Sequence, residues 1–506
     1  MTALLHCRAL PRRCCAGQAS RPHRPRHPRC DAAPQDTATS TSVRHLIELR
    51  DGTPHLSYDL ADGSAADPAA RNGTGAPALD GARGLDGPVD ALAQQLRSVF
   101  LPRGWPGSAA PEYLEYQAWA VLCHITGWVS NGLATSSLFS GAGIGASPGQ
   151  VVASSAAIKW VQKDGLGALG RLLAGGRLGL EVDDDPRYWR MVAEAVSTGG
   201  FFLQVLSGVA PSYFLLLAGA GTLLRAAAKG FGRPAFRVIQ QHFAATGNVG
   251  DIAAKEEVWE VVGQVLGSLL CVAVLRNLDD KDVVRAQGEV LAMAFGRGPE
   301  AWKEFAPAVL LPWWAAAQAL HVALRYQCMR VLRFPTISAK RAAVLVRAHV
   351  AEGAVPSVRE VNEAERMLAS SRRAVEFCRV GASVEDLVAA RGEGGACVSL
   401  SDAVELYSPT QDGYVLTWHG GCAAVALYEG ASGRACLQAM YQAAILEARG
   451  ESGGSTSALR SSLKEARDAM DGFVAACGDA GWLTDDRSVL VPLGVTRLQL
   501  PRGPEG

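Results

Sequence analysis

The stretch Ala195–Leu224 reads AVSTGGFFLQVLSGVAPSYFLLLAGAGTLL, thirty residues without an acid, lysine or arginine. Phe201, Phe202, Leu203, Val205, Leu206, Val209, Phe214, Leu215, Leu216 and Leu217 leave almost no polar face. A helix apolar all round is either the centre of a large core or a bilayer span. About twenty such residues cross a membrane, so this run is predicted to be the best spanning segment, with Pro211 tolerated near its middle.

Three further apolar runs flank it. From Tyr116 to Ile158 there is no acid, lysine or arginine, and Gly141-Ala-Gly143-Ile-Gly145 with Pro148 divides that run into two helices. Val261–Leu275 is a shorter run, and Phe305–Leu324 is long enough to span. A short amphipathic helix over Val89–Val99, stopped by Pro102, precedes them. Hydrophobic residues make up 48% of the 506 residues, high for a soluble globular chain. Lys plus Arg and Asp plus Glu are both 49, so no net field draws the chain to nucleic acid.

The two ends differ from this body. Residues 1–40 carry Arg8, Arg12, Arg13, Arg21, Arg24, Arg26 and Arg29 before the first acid, Asp31, which is the charge pattern of an organelle transit peptide. A chloroplast or a mitochondrial address fits it. Residues 41–88 combine a strand over Val43–Leu49, paired with His55–Tyr58 across Asp51-Gly52-Thr53-Pro54, and a flexible Gly/Ala/Asp/Pro-rich linker over Gly63–Gly87. After the core domain, residues 89–350, comes a C-terminal part, residues 351–506. It opens with a charged helix over Ser357–Cys378, capped at Pro356-Ser357. Two strands, Gly413–Trp418 and Cys422–Tyr428, turn at Gly420-Gly421. Helices over Ser432–Arg449 and Ser457–Ala480 follow, then β-prone Arg487–Leu500. The expected fold is therefore mainly α, an apolar multi-helix core domain followed by a small C-terminal α/β module.

Four ordered blocks carry a family likeness. They are Phe100-Leu-Pro102-Arg-Gly104-Trp105-Pro106 with Tyr113-Leu-Glu-Tyr116-Gln-Ala-Trp119; Gly141-Ala-Gly143-Ile-Gly145 with Trp160-Val-Gln-Lys163-Asp164-Gly165-Leu-Gly167-Ala-Leu-Gly170-Arg171; Tyr188-Trp189-Arg190; and Gln241-His242-Phe-Ala to Asn248-Val-Gly-Asp251-Ile-Ala-Ala254-Lys255. Together they resemble the root UVB sensitive family, the second block most specifically. Thr336-Ile-Ser-Ala-Lys340-Arg341-Ala342 and Gly481-Trp482 match more loosely. Ser197-Thr198, Lys255-Glu256-Glu257 and Arg233–Arg237 depart from the family pattern, as in a divergent plant or algal member. The resemblance implies ties to ultraviolet-B response in roots, seedling development, auxin transport and vitamin B6 homeostasis. It also implies plastid residence for some members and association of members with one another. It brings no defined catalytic activity.

The chemistry-bearing residues admit two readings each. Gly165, Gly167 and Gly170 spell GxGxxG, but a dinucleotide fingerprint needs a strand before the first glycine, and these flanks read as helix. A pyridoxal-phosphate Schiff base on Lys163 lacks a readable phosphate cup. Lys163, Asp164 and Arg171 are either a solvated helix end or the rim of a polar path. His242, Asp251 and Lys255 are either a polar cluster facing that group or an exposed inter-helix loop. The 12 cysteines form no CxxC pair and no metal motif appears. Cys123, Cys271 and Cys328 read as buried small hydrophobes without a basic neighbour. The cofactor stays open. The expectation is a non-enzymatic, membrane-associated chloroplast protein acting through protein partners, possible family members among them. The alternatives are a membrane carrier using intramembrane charges and a soluble binder of a phosphorylated cofactor.

Overall fold

The structure, a computed structural model, describes residues 45–50, 53–59, 64–66, 88–143, 161–162, 164–165, 182, 184–370, 375–389, 400–451, 455–486, 488–489 and 496–499. The arginine-rich segment expected to be a transit peptide lies outside them. The chain forms two compact units, Met1–Leu79 and Asp80–Gly506.

The first unit holds an antiparallel sheet in the order β1 (His45–Arg50), β2 (Thr53–Asp59) and β3 (Ser64–Ala66). Thr53 and Pro54, expected in the turn, belong to β2, because a register shift after Glu48 brings Leu49 opposite Pro54. Ser64–Ala66, expected in the linker, is a strand, pairing with Ser57–Asp59 on the free edge of β2. Residues 67–87 lie outside the described residues.

The second unit begins with α1 (Pro88–Phe100) and α2 (Tyr113–Ala142). The glycine break ends α2 as expected: Gly143 takes the left-handed conformation at φ 82° and its N–H closes on Phe139 and Ser140. The run Ala195–Leu224 is not one helix. It is divided between α3 (Pro186–Val209) and α4 (Phe214–Phe243), joined by a 3-10 turn over Pro211–Tyr213. Pro211 lacks the N–H that would continue α3, so the chain reverses there. The pair is antiparallel and very close: a Cβ on Gly200 would lie 2.7 Å from the Gly221 carbonyl oxygen, and one on Gly221 2.6 Å from that of Gly200. Next come α5 (Val249–Leu278), α6 (Lys281–Ala294) and α7 (Trp302–Phe305). Then α8 (Leu310–Val331) follows a 52° bend, so the run expected from Phe305 is broken at its start.

Helices α2, α3 and α5 run one way and α4 and α8 the other. Their inner faces make apolar layers, with Tyr113, Tyr116, Ile239, Phe243, Ile252 and Met329 at one end and Val129, Leu133, Phe201, Val205 and Trp314 further along. Three helices among the described residues, Pro186–Val209, Pro211–Phe243 and Val249–Leu278, are long and apolar enough to cross a membrane. The run Val261–Leu275, expected to be short, sits in the thirty-residue α5 and is the least covered. Only 17% of its apolar window is buried, against 39% for the other two. Gly263, Gly267 and Cys271 face α2, while Val261, Val265, Leu269 and Val272 face outward on the opposite side.

The C-terminal part is built on α9 (Ala339–Glu352), α10 (Val358–Ala364), β4 (Cys378–Val380), α11 (Val384–Ala389), α12 (Leu400–Leu406), β5 (Tyr414–His419), β6 (Cys422–Tyr428), α13 (Gly433–Ala448), α14 (Thr456–Asp479) and β7 (Arg497–Leu498). Strand β6 pairs antiparallel with β5 and parallel with β4 and β7. The β5–β6 turn uses Gly420 and Gly421 at φ +55° and +80°, the backbone a two-residue hairpin needs. Helix α13 is buried along nearly its whole length between this sheet and α9 and α14. Ser432 and Ser455 cap α13 and α14 through Ala435 N and Ala458 N. The fold is thus mainly α with a small α/β module at its C-terminal end.

Of the helix expected over Ser357–Cys378, the described residues hold α10, and residues 371–374 lie outside them. Ser357 and Glu360 form the capping box, but the chain leaves the helix at Glu365, whose carboxylate pairs with Arg187 and Arg341. Cys378 already belongs to β4. Two buried guanidiniums outweigh the few tenths of a kcal/mol per residue that helix propensity offers.

Candidate functional site

A helix that packs or spans by apolarity should carry no charge on its inner face, yet α3 does. Arg190, Glu194, Thr198 and Gln204 fall on one side of it, turned toward α2, α4 and α8. Glu194 is 3.1 Å from His321 Nε2 and 3.5 Å from Arg325 Nε, both on α8. The other ring nitrogen of His321, Nδ1, is 2.8 Å from the Cys123 carbonyl oxygen on α2. Both nitrogens therefore face acceptors, a pattern fully satisfied when each carries hydrogen. Gln318 donates to Thr198 Oγ1 at 2.8 Å.

Beyond this group lies Arg225 of α4. Its Nη1 donates to Gln204 Oε1 at 2.8 Å and its Nη2 to Asn131 Oδ1 at 3.0 Å. Its guanidinium stacks 3.8 Å from the Phe201 ring centroid. Gln204 in turn donates to Thr222 Oγ1 at 3.0 Å. On the other side, toward the start of α5, Glu256 is buried and accepts from Gln240 at 2.7 Å. Polar side chains thus run along most of the bundle's interior. In hydrocarbon-like surroundings such groups persist only when they are paired or functional.

Those residues expected to form a site that the structure describes lie elsewhere. Asp164 and Gly165 are helical and exposed, and a Cβ on Gly165 would meet open space. Residues 161–162 and 164–165 are helical where a dinucleotide fingerprint needs a strand end. Lys163, Gly167, Gly170 and Arg171 lie outside the described residues. His242 is not on an exposed loop: its Nε2 is 2.7 Å from Glu112 Oε1, and its ring packs on Phe334 at 4.5 Å. Burial pushes the Glu112 carboxyl up, but the His242 hydrogen bond and charge outweigh this and hold it below the usual range. Asp251 accepts from the Arg103 backbone N–H at 2.7 Å, and Lys255 donates to the Ser98 carbonyl. These two anchor α1 and the following loop to α5. His242, Asp251 and Lys255 thus hold segments in place at one end of the bundle.

Sequence reading missed Glu194, His321, Arg325 and Arg225, since each is an isolated charge in an apolar run and the partners come from distant helices. The expectation that Cys123 lacks a basic neighbour is corrected: His321 Nδ1 is 3.5 Å from its sulfur, brought there from 198 residues away. Cys123, Cys271 and Cys328 are all buried.

An apolar-faced helical bundle with an ionic interior, tied to a small α/β module, is thus the class of protein this chain is. The chain belongs to the root UVB sensitive family. Residues 88–353 match the model described as the vitamin B6 photo-protection and homoeostasis domain, and residues 354–486 match that of the root UVB sensitive protein C-terminal region. The chain is 36% identical to protein root UVB sensitive 5 of Arabidopsis thaliana over 79% of its own length and 76% of the relative's. It is 26% identical to protein root UVB sensitive 2, chloroplastic, of the same plant, over 66% of this chain and 65% of that one. With RUS family member 1 of Dictyostelium discoideum it shares 25% identity over 57% of this chain and half of the relative. No solved structure matches.

Proposed function

We propose that this chain is an integral membrane protein that serves vitamin B6 homoeostasis and ultraviolet-B protection, itself catalysing no reaction and acting with protein partners. The observation that carries the reading is the outward face of α5. Val261, Val265 and Leu269 are 45%, 52% and 64% exposed on a helix long enough to cross a membrane. Contiguous apolar surface of this kind marks a membrane or partner contact rather than a water-facing wall. Leu216, Phe202, Leu122 and Leu320 on neighbouring helices are also exposed and extend the apolar surface around the bundle. Residence in the chloroplast is supported by the chloroplastic relative and by the arginine-rich, acid-free N-terminus. Alkaline carbonate extraction of organelle membranes from cells expressing the tagged chain tests this. Retention in the pellet is expected, and release to the supernatant would refute it.

A carrier role is favoured by one further observation. The charges Arg190, Glu194, Arg325 and Arg225 are all turned into the bundle, where intramembrane ionisable groups line substrate or ion pathways.

A further inference from the structure

The interior row is unbalanced in charge. Its guanidiniums are Arg190, Arg225 and Arg325, and its carboxylates Glu194 and Glu256. Of these three guanidiniums only Arg325 has, among the described residues, a carboxylate within ion-pair reach, that of Glu194. Arg190 meets the Gly232 carbonyl at 3.4 Å and the Phe236 ring, and its Nε has no acceptor. Arg225 is more telling. Its two outer nitrogens are aimed by the amide oxygens of Gln204 and Asn131, which orient a guanidinium without neutralising it. Its Nε has no acceptor. A partly buried charge that the protein leaves unneutralised is costly, and a protein that needed only structure would place a carboxylate or an apolar residue there.

We propose that Arg225, with Gln204 and Asn131, binds the phosphate or carboxylate group of a small soluble anion in the middle of the bundle. The proposal rests on the carrier reading above and names the substrate class. A guanidinium offers a planar fork of donors that matches an oxyanion, and Phe201 holds its plane from one side. The position argues against a lipid headgroup. Arg225 lies about 16 Å along α4 from Phe214, near the midpoint of a hydrocarbon core about 30 Å thick. Substrate sites of carriers lie at that depth. Gly200 makes room for it, since a Cβ there would lie 2.7 Å from Arg225 Cγ, and Gly221 makes room for Gln204, whose Cγ a Cβ there would meet at 2.8 Å.

The test uses the full chain purified in detergent, with inorganic phosphate as probe and chloride holding ionic strength constant. The melting temperature is expected to rise saturably with phosphate. Arg225→Gln is expected to abolish the rise, and Arg225→Lys to keep part of it. If Arg225→Gln does not fold, Gln204→Ala and Asn131→Ala carry the test, each raising the half-saturating phosphate concentration by about tenfold, the weight of one charge-assisted hydrogen bond. Identical melting in phosphate and chloride, or a rise that survives every variant, would overturn the proposal. So would an Arg225-dependent rise with short-chain phosphatidic acid and none with phosphate, which would assign the site to lipid. The readout needs no bilayer, so failure of the membrane reading in carbonate extraction is distinguishable from failure here.

Discussion

Replacing Glu365 by Gln removes one charge and keeps the side chain's shape. In the native protein that carboxylate takes Arg187 and, at 3.0 Å, Arg341 Nε, with side-chain exposures of 5%, 1% and 2% for the three groups. Asn362 completes the knot, accepting from Arg187 at 3.2 Å and from Phe334 N at 3.1 Å. The substitution leaves two guanidiniums buried without the carboxylate they both pair with. Breaking a buried pair from one side costs about 3–5 kcal/mol. At about 1.4 kcal/mol per decade, the segment between α9 and β4 should open roughly a hundred- to a few-thousandfold more often. Native-state proteolysis of that segment, read as an opening free energy, measures this. The exposed pair Arg359–Glu363 is the control, and its removal should leave the opening nearly unchanged, because solvent screens it.

The same carboxyl gives the pH dependence. Burial pushes Glu365 up, but Arg341 and Arg187 outweigh it and hold it below the usual carboxylate range. A folded-state pKa lowered in this way stabilises above the ordinary carboxylate pKa, and that stability is lost as pH falls through the lowered value. Opening in the native chain should therefore rise as the solution is acidified below the ordinary range, and the Gln variant should lack that part of the profile. A penalty under about 1 kcal/mol, or an unchanged acid profile in the variant, would refute the reasoning.

Two further substitutions probe the packing. Gly267→Ala places a Cβ 2.6 Å from the Ile125 carbonyl oxygen and 2.8 Å from Trp128 Cβ, so α2 and α5 must part. A loss of about 1–3 kcal/mol is expected in thermal melts, while Gly250→Ala, which meets open space, should be neutral or slightly stabilising. Gln442→Leu strips a fully buried hub that accepts from Tyr414 OH at 2.8 Å and donates to Tyr407 OH and Ser462 Oγ at 3.0 and 3.1 Å. Denaturant unfolding should show a loss of about 2–4 kcal/mol from the stranded hydroxyls.

Local signals in the sequence were reliable where the physics is local. Gly143 ends α2, Gly420-Gly421 turn the hairpin, and Ser357 caps α10, because each depends on a residue's own backbone preference. Reach failed where long-range pairing decides. The Ser357 cap read correctly, but nothing near Glu365 announces that Arg187 and Arg341 will draw it out of the helix. Apolar runs told length and not facing. Ala195–Leu224 looked like the spanning segment and is a hairpin, while the shorter-looking Val261–Leu275 presents the barest face. The interior charges were invisible as a group, since Glu194 meets His321 and Arg325 only once α3 and α8 are packed together.

The membrane claim stands or falls on what touches α5. Spin labels placed one at a time along Val261–Val272, in a cysteine-substituted background reconstituted into bilayers, report collisions with oxygen, which enters hydrocarbon, and with a nickel complex, which stays in water. Positions 261, 265, 269 and 272 should be open to oxygen and closed to nickel, with 271, which faces α2, shielded from both. Free nickel access at 265 and 269 would contradict the account and return this face to water.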